Sequence, residues 1–239
     1  MDLLLDNCAL FDIYTKIIKK SSIEGIRIGM PKKYFFDHVH PQVESLFYDF
    51  IETLGSAGSI VVYDVDLHNT EKYHRVWQEI RLAEASEIHM KWLNTRANDY
   101  SYEVREMLVQ GTKVSAVDYI SALNTVRKLR KEYLSILNYK VDVIMVPTTI
   151  IPAPKFNEET VSIDMNTVVD TREALLRNTI LFNSTGLPAI SIPIGLTKDN
   201  MPVAAQIIGP PFKEQTILSI AYNYECTNDS SKRFVPPPI

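Results

Sequence analysis

Two short polar runs contain the side chains best suited to bind a metal ion. Asp64, Asp66 and His68 alternate in DVDLH, so an extended strand would place all three on one side. Two carboxylates and an imidazole on one side could ligate a divalent metal. The alternative, which we favour, is a polar strand end that enters a loop. His38 and His40, in HVHP, form a weaker pattern of the same kind, and the sequence predicts no metal site.

The residue types could also support nucleophilic catalysis, which needs a serine or cysteine activated by a base. The sequence has no GxSxG elbow and no compelling order of serine, histidine and aspartate. Cys226 falls late in a predicted helix without a paired histidine, so we interpret it as a core thiol rather than a nucleophile. The eight glycines are scattered, which argues against a phosphate-binding loop. No catalytic residue and no cofactor are predicted.

Length, charge and cysteine use narrow the class of protein. We expect a single domain over 1–239, because no linker composition divides the chain. The net charge of −4 disfavours nucleic-acid binding. The isolated Cys8 and Cys226 suit a reducing compartment, and the N-terminus lacks a signal-peptide pattern. No apolar run approaches the roughly 18 residues of a membrane span. These features predict a cytoplasmic protein without a membrane segment.

The spacing of apolar residues in the first third predicts the elements that would carry these side chains. A helix is expected over 2–19, where apolar positions recur at helical spacing. Strand 26–30, helix 41–56 and strand 59–65 should then form a β-α-β unit, and such units pair their strands in parallel.

A long helical tract is expected over about 70–137, broken at Gly111, with Ser115 as the cap of its last helix. The basic run near its end, Lys128, Arg130 and Lys131, is interpreted as a solvated helix face rather than a nucleic-acid patch.

The last 100 residues alternate buried strands with helices. VDVIMVP should be a strand that breaks at Pro147, and a helix over about 166–183 should end at a sharp turn around Gly186. AISIPIG and PVAAQIIG read as two more strands, KEQTILSIAYNYEC as a closing helix, and 230–239 as a loose tail. The predicted fold class is α/β, with a central mixed sheet of about four or five strands flanked by helices.

Three segments together resemble the C-terminal half of the amidase signature family. They are DVIMVPTTIIPAP at 142–154, NSTGLPAISIPIG at 183–195 and PVAAQIIG at 202–209. The segment VREMLVQGTKVSAVDYISAL also resembles a helix pair that closes over the active site in that family, so 70–137 would be a lid-like segment. The resemblance implies the C-terminal part of the amidase fold.

The resemblance also implies a chemistry whose residues are not found here. Members of the family hydrolyse amides with a serine nucleophile, a second serine in a cis peptide and a lysine. The serines lie in a Gly/Ser-rich loop, and this sequence has no such cluster. Ser184, in NSTG, matches a different part of the family pattern. We therefore expect an amidase lobe that is inactive alone; the alternative is a non-catalytic binding or assembly module that retains the fold.

By position in the family pattern, four residues are the candidates to line a substrate pocket: Arg105, Arg177, Asn178 and Asn183. For Arg105 the alternative is an ordinary surface charge on a helix. The stretch 175–178 lacks the acidic residue that the amidase-like subunits of glutamine-using amidotransferases place there. This departure weakens the prediction of glutamine specificity.

The same resemblance predicts partners. A half sheet exposes an edge and an apolar face, and either can recruit another chain. We expect docking to an N-terminal amidase half in another chain, or self-association into a homo-oligomer.

Overall fold

A computed structural model describes residues 15–31, 33–67, 70 and 73–228. Most of the predicted opening helix, His68 and the predicted tail at 230–239 lie outside these ranges. Within them, residues 15–20 are helical and form the described part of α1.

The elements alternate along the chain as the apolar pattern predicts. The strands are β1 (Arg27–Pro31), β2 (Ile60–Val65), β3 (Val143–Pro147), β4 (Thr160–Ser162), β5 (Val168–Asp170), β6 (Ala189–Leu196) and β7 (Pro202–Ile208). The helices after α1 are α2 (Pro41–Ser56), α3 (Tyr73–Thr95), α4 (Tyr102–Gly111), α5 (Ala116–Tyr139), α6 (Thr171–Thr185) and α7 (Glu214–Asn228). A 3-10 turn at Ala97–Asp99 joins α3 to α4.

Five strands form one mixed sheet in the order β2-β1-β3-β7-β6. β1 pairs in parallel with both β2 and β3, whereas β7 is antiparallel to β3 and β6. The β-α-β unit and the α/β class with a mixed sheet are therefore confirmed. The small hairpin of β4 and β5 is a second sheet that the sequence analysis did not predict.

Alternate side chains of β3 enter two different hydrophobic clusters, as expected for a strand buried on both faces. Val143 and Met145 belong to a cluster with apolar side chains of α2 and α7. Ile144 and Val146 belong to a cluster with those of α5 and α6. Helices therefore cover both faces of the sheet.

The helix predicted over 166–183 begins five residues later, at Thr171. Val168 and Val169 lie in β5 instead, in keeping with the strand preference of β-branched residues. The Oδ1 of Asp170 then accepts a hydrogen bond from the backbone N–H of Glu173 at 2.8 Å and caps α6. The end of the helix was predicted well, because Gly186 has φ 61° and caps α6 in the left-handed conformation.

The predicted helical tract consists of α3, the 3-10 turn, α4 and α5. Ser115 caps α5 as predicted, since its hydroxyl accepts from the N–H of Asp118 at 3.1 Å. Within the described ranges, no helix combines the length and the apolar composition that a membrane crossing requires.

The interpretation of the basic run as a solvated helix face is wrong for Arg130. Lys128 and Lys131 are exposed, but the guanidinium of Arg130 is half-buried. Its Nη1 donates to the carbonyl oxygens of Thr185 and Gly186, the latter at 2.8 Å. These carbonyls end α6, so Arg130 ties α5 to the turn that leads into β6.

Arg27 and Asp142 form an ion pair where β1 and β3 begin. The Nη2 of Arg27 lies 2.9 Å from Oδ1 of Asp142, and the backbone N–H of Arg27 donates to Oδ2 at 2.8 Å. The hydrogen bonds from the Arg27 side chain hold the pKa of Asp142 below its ordinary value. The ionised carboxylate therefore stabilises the fold above the unfolded-state pKa, and this contribution is lost as pH falls through the lower folded-state pKa.

We expect Asp142→Asn to lower the urea midpoint modestly at pH 7, because both side chains are more than a third exposed and the pair is screened. The gap between variant and wild type should narrow as the pH falls below the pKa of an unfolded-state aspartate, about 3.9, and close as the wild-type carboxylate protonates at its lower folded-state pKa. Urea unfolding between pH 7 and pH 3 measures both effects. Asp199→Asn, at an exposed turn position, is the matched control; a gap that stays constant with pH would contradict the prediction.

Candidate functional site

A cleft of about 330 Å³ lies between the helices α3 and α4 and the start of α6. Side chains of all three helices line it, among them Trp77, Arg81, Glu106, Met107, Arg172 and Leu176. The helical tract that resembles a lid therefore forms two walls of the cleft, and α6 forms the third.

Close packing of α4 on α3 sets the width of this cleft. The hydroxyl of Ser86, on α3, is buried and lies 2.7 Å from the carbonyl oxygens of both Leu82 and Leu108. A Cβ on Gly111, the last residue of α4, would stand 2.0 Å from the oxygen of Leu82. Only glycine allows this approach, so Gly111 sets the distance between the two helices rather than only ending one of them.

The most unusual side chain in the cleft is that of Arg81. Its Nη1 lies 2.8 Å from the sulfur of Met107, and its guanidinium carbon stands 4.7 Å from the ring centre of Trp77. Its Nε is buried and has no hydrogen-bond partner among the described residues. Burial, and then the positive charge of Arg172, lower the pKa of Arg81. Two guanidinium groups thus face one cleft.

Four carboxylates also line the cleft, and two of them are engaged with backbone. Asp170 caps α6 through its hydrogen bond to the N–H of Glu173. Backbone and Ser101 hydrogen bonds at the start of α4 lower the pKa of Glu103. Glu106 and Glu173 are the other two, and both are exposed.

Two of the four predicted substrate-binding residues, Arg177 and Asn178, lie together where α6 meets the turn at 34–37. The Nε and Nη2 of Arg177 donate to the carbonyl oxygen of Tyr34 at 3.0 and 2.8 Å. The guanidinium also stands 4.2 Å from the Tyr34 ring centre and 3.5 Å from a carboxylate oxygen of Asp37. Arg177 thus secures a turn in which Tyr34 has φ 70°.

Asn178 is fully buried and joins three parts of the fold. Its Nδ2 donates to the carbonyl oxygens of Pro147 at 2.8 Å and Phe35 at 3.2 Å. Its backbone carbonyl oxygen accepts a hydrogen bond from Nε2 of Gln206 at 3.1 Å. The residue therefore ties α6 to the end of β3, to the 34–37 turn and to β7.

The other two predicted residues lie elsewhere. Arg105 is half-buried on α4, with Nη1 3.4 Å from Oδ1 of Asn98 and its guanidinium 6.0 Å from the ring centre of Tyr102. Asn183 is exposed near the end of α6. None of the four lines the cleft, and their role in substrate binding stays a prediction.

Sequence reasoning did not single out Trp77, Arg81, Met107 or Arg172. One signal was present: Arg81 follows Trp77 by four residues, so helical spacing places the two side chains on one face. Its contact with Met107 spans 26 residues and depends on how α4 packs on α3.

The last candidates from the sequence are the metal-binding runs and Cys226. Among residues 15–31, 33–67, 70 and 73–228, no group of three or more His, Cys, Asp and Glu side chains could hold a metal ion. His68, the third member of the DVDLH pattern, is outside those ranges. The interpretation of Cys226 as a core thiol is wrong, because its side chain is exposed on α7.

Comparison with known proteins places this chain in one family. A sequence model of the family described as Amidase matches residues 12–218. The chain is 36% identical over 203 residues to an amidase of Pseudomonas putida. The aligned region covers 85% of this chain and 43% of that protein. It is 32% identical over 236 residues to the A-type subunit of the glutamyl-tRNA(Gln) amidotransferase of Thermodesulfovibrio yellowstonii, with 89% and 47% covered.

A solved structure agrees. The crystal structure of an amidase superposes with a TM-score of 0.79 at 26% identity, over 87% of this chain and 46% of that one. The chain shares the α/β fold of this part of the amidase structure, and it belongs to the amidase signature family. It spans about half the length of the curated relatives it matches.

Proposed function

We propose that this chain is the C-terminal part of an amidase-like hydrolase, and that it supplies the substrate-facing wall rather than the catalytic groups. The observation that carries the proposal is the match of residues 12–218 to the family, together with the absence from this sequence of a Gly/Ser-rich loop. The serines and lysine would come from residues outside these 239.

The cleft between α3, α4 and α6 is the part of the structure that suits this role. It is concave, it combines the indole of Trp77 and the thioether of Met107 with six charged side chains, and most of its lining residues lie on helices. A pocket of this composition can bury the apolar part of a substrate and orient its polar end. A catalytic half docked against it would complete the active site.

The partner would be an N-terminal amidase half, in keeping with a chain that covers 43% to 47% of its relatives. The strands β2 and β6 form the two edges of the described sheet, and an unpaired edge is suited to receive further strands. Self-association through an edge is a second way to cover it. The cytoplasmic location and the lack of nucleic-acid binding stay predictions.

One observation favours the alternative of a non-catalytic module. Helices cover both faces of the sheet and bury two clusters of apolar side chains, so the described part has a core of its own. A binding or assembly domain would need no more than this.

The proposal is tested by treating the purified 239-residue chain with a fluorophosphonate probe, which labels activated serines, and by assaying a panel of simple amides. We expect no mass increase and no turnover. The Pseudomonas putida amidase, treated in parallel, shows whether the probe and panel suit this family. A stoichiometric adduct, with or without turnover, would mean that a serine of this chain is activated, and would overturn the proposal.

A further inference from the structure

The geometry points to a carboxylate-binding site formed by Arg81 and Arg172 in the cleft between α3, α4 and α6. The substrates of the proposed function would then be amides that carry a free carboxylate. That the ligand is a substrate rests on the proposed function. Binding of the ligand can be tested without any turnover.

Arg81 is half-buried and has unused hydrogen-bonding capacity. Its Nε has no partner among the described residues, and its Nη1 meets only the thioether of Met107, a weak acceptor. A buried N–H donor without an acceptor, such as this Nε, costs free energy. An acceptor that enters the cleft would remove that cost.

Neither guanidinium, of Arg81 or of Arg172, has an ion-pair partner among the described residues. The ion pairs within 4.0 Å among described residues join Arg27 to Asp142, Arg75 to Glu79, Arg96 to Asp99 and Arg177 to Asp37. Arg81 and Arg172 are in none of them. Burial, and then the positive charge of Arg172, lower the pKa of Arg81, so the two guanidinium groups lie close enough to interact.

None of the four carboxylates of the cleft forms an ion pair with Arg81 or Arg172 within 4.0 Å. Asp170 is held by the N–H of Glu173, and Glu103 is held at the start of α4. Glu106 and Glu173 are exposed, so water screens them. Arg81, in contrast, is half-buried.

The shape and composition of the cleft fit a carboxylate better than a phosphate group. A guanidinium binds a carboxylate through two parallel hydrogen bonds, and the second cation, Arg172, adds attraction from the exposed side. The four acidic side chains around the cleft would repel a dianion more strongly than a monoanion. The apolar surface of Trp77 and Leu176 would contact the carbon chain of the ligand.

The test compares three small ligands by titration calorimetry on the full chain: succinamate, its neutral analogue succinamide, and butyramide, in which a methyl group replaces the carboxylate. We expect succinamate to bind at least about tenfold more tightly than either neutral amide, as charge-assisted hydrogen bonds typically give. Equal affinities, tighter binding of a neutral amide, or no detectable binding of succinamate would overturn the inference.

Substitutions of single arginines test which side chains produce the preference for succinamate. Arg81→Gln and Arg172→Gln should each remove most of the preference for succinamate, while Arg75→Gln, an exposed arginine on the same helix α3, should keep it. Should Arg81→Gln fail to fold, Arg172→Gln decides, because Arg172 is exposed. A preference that survives Arg172→Gln and, in folded protein, Arg81→Gln would contradict the assignment.

The outcome is separable from that of the proposed function. Turnover of succinamate by the chain alone would contradict the proposed lack of catalytic groups and leave the carboxylate preference intact. A lack of preference among the three amides would contradict this inference and leave the proposed lack of catalytic groups intact.

Discussion

Replacing Asn178 with alanine is expected to destabilise the fold by about 2 to 4 kcal/mol, a large part of the total stability of an ordinary domain. The substitution removes both donors to the carbonyl oxygens of Pro147 and Phe35 in a fully buried position. Each orphaned acceptor costs about 1 to 3 kcal/mol when water cannot reach it. The removal of Oδ1, which has no partner among the described residues, offsets part of that cost.

Asn183→Ala is the matched control, because it makes the same change on the same helix at an exposed position. Its effect should stay within about 0.5 kcal/mol. Urea unfolding followed by tryptophan fluorescence compares the two variants. Equal effects would mean that the hydrogen bonds of Asn178 do not tie α6 to its neighbours in solution.

The contrast between Asn178 and Asn183 also shows how little the position of a residue in the family pattern predicts by itself. The resemblance assigned Asn178 and Asn183 the same role, since both occupy the stretch that faces substrate in relatives. The structure gives them different surroundings, because a helix turns residues five apart to different sides. Burial and the carbonyls of two distant segments distinguish them, and neither is encoded near residue 178 in the sequence.

Local signals predicted the elements well where one residue decides the outcome. Ser115 starts a helix, Gly186 ends one and Pro147 ends a strand, each through its own backbone or side-chain chemistry. The start of α6 was missed by five residues because Val168 and Val169 suit a strand, and a hairpin partner about 6 to 8 residues earlier pairs with them. Such pairing is a tertiary choice that propensity does not fix.

The cleft could not be predicted from the sequence either, because it too depends on tertiary packing. Its composition depends on which faces of α3 and α4 meet, and the tract 70–137 was predicted only as a series of helices. Arg81 and Met107 come into contact because α4 lies unusually close to α3. The residue that permits this approach, Gly111, was interpreted only as a helix break.

The substitution Gly111→Ala is therefore expected to have the second large effect, a destabilisation of about 3 kcal/mol. The added Cβ would stand 1.9 Å from the hydroxyl oxygen of Ser86 and 2.0 Å from the backbone oxygen of Leu82. Backbone cannot step aside as a flexible side chain can, so α4 must move away from α3. That movement would separate Ser86 from the carbonyl oxygen of Leu108 and widen the cleft.

Gly55→Ala is the control, since Gly55 also lies at the end of a helix but has 3.9 Å of space to the nearest side-chain atom, Cγ2 of Val61. A helical glycine with room for a methyl group gains about 0.5 to 1 kcal/mol on replacement by alanine. Thermal unfolding should show a loss of stability for Gly111→Ala and a gain for Gly55→Ala. This result would establish that contact between α3 and α4, and not helix propensity, makes glycine necessary at position 111. If Gly111→Ala were as stable as Gly55→Ala, the two helices would not approach closely in solution. The walls of the cleft, and the position of Arg81 between them, would then need a different arrangement of the lid-like segment.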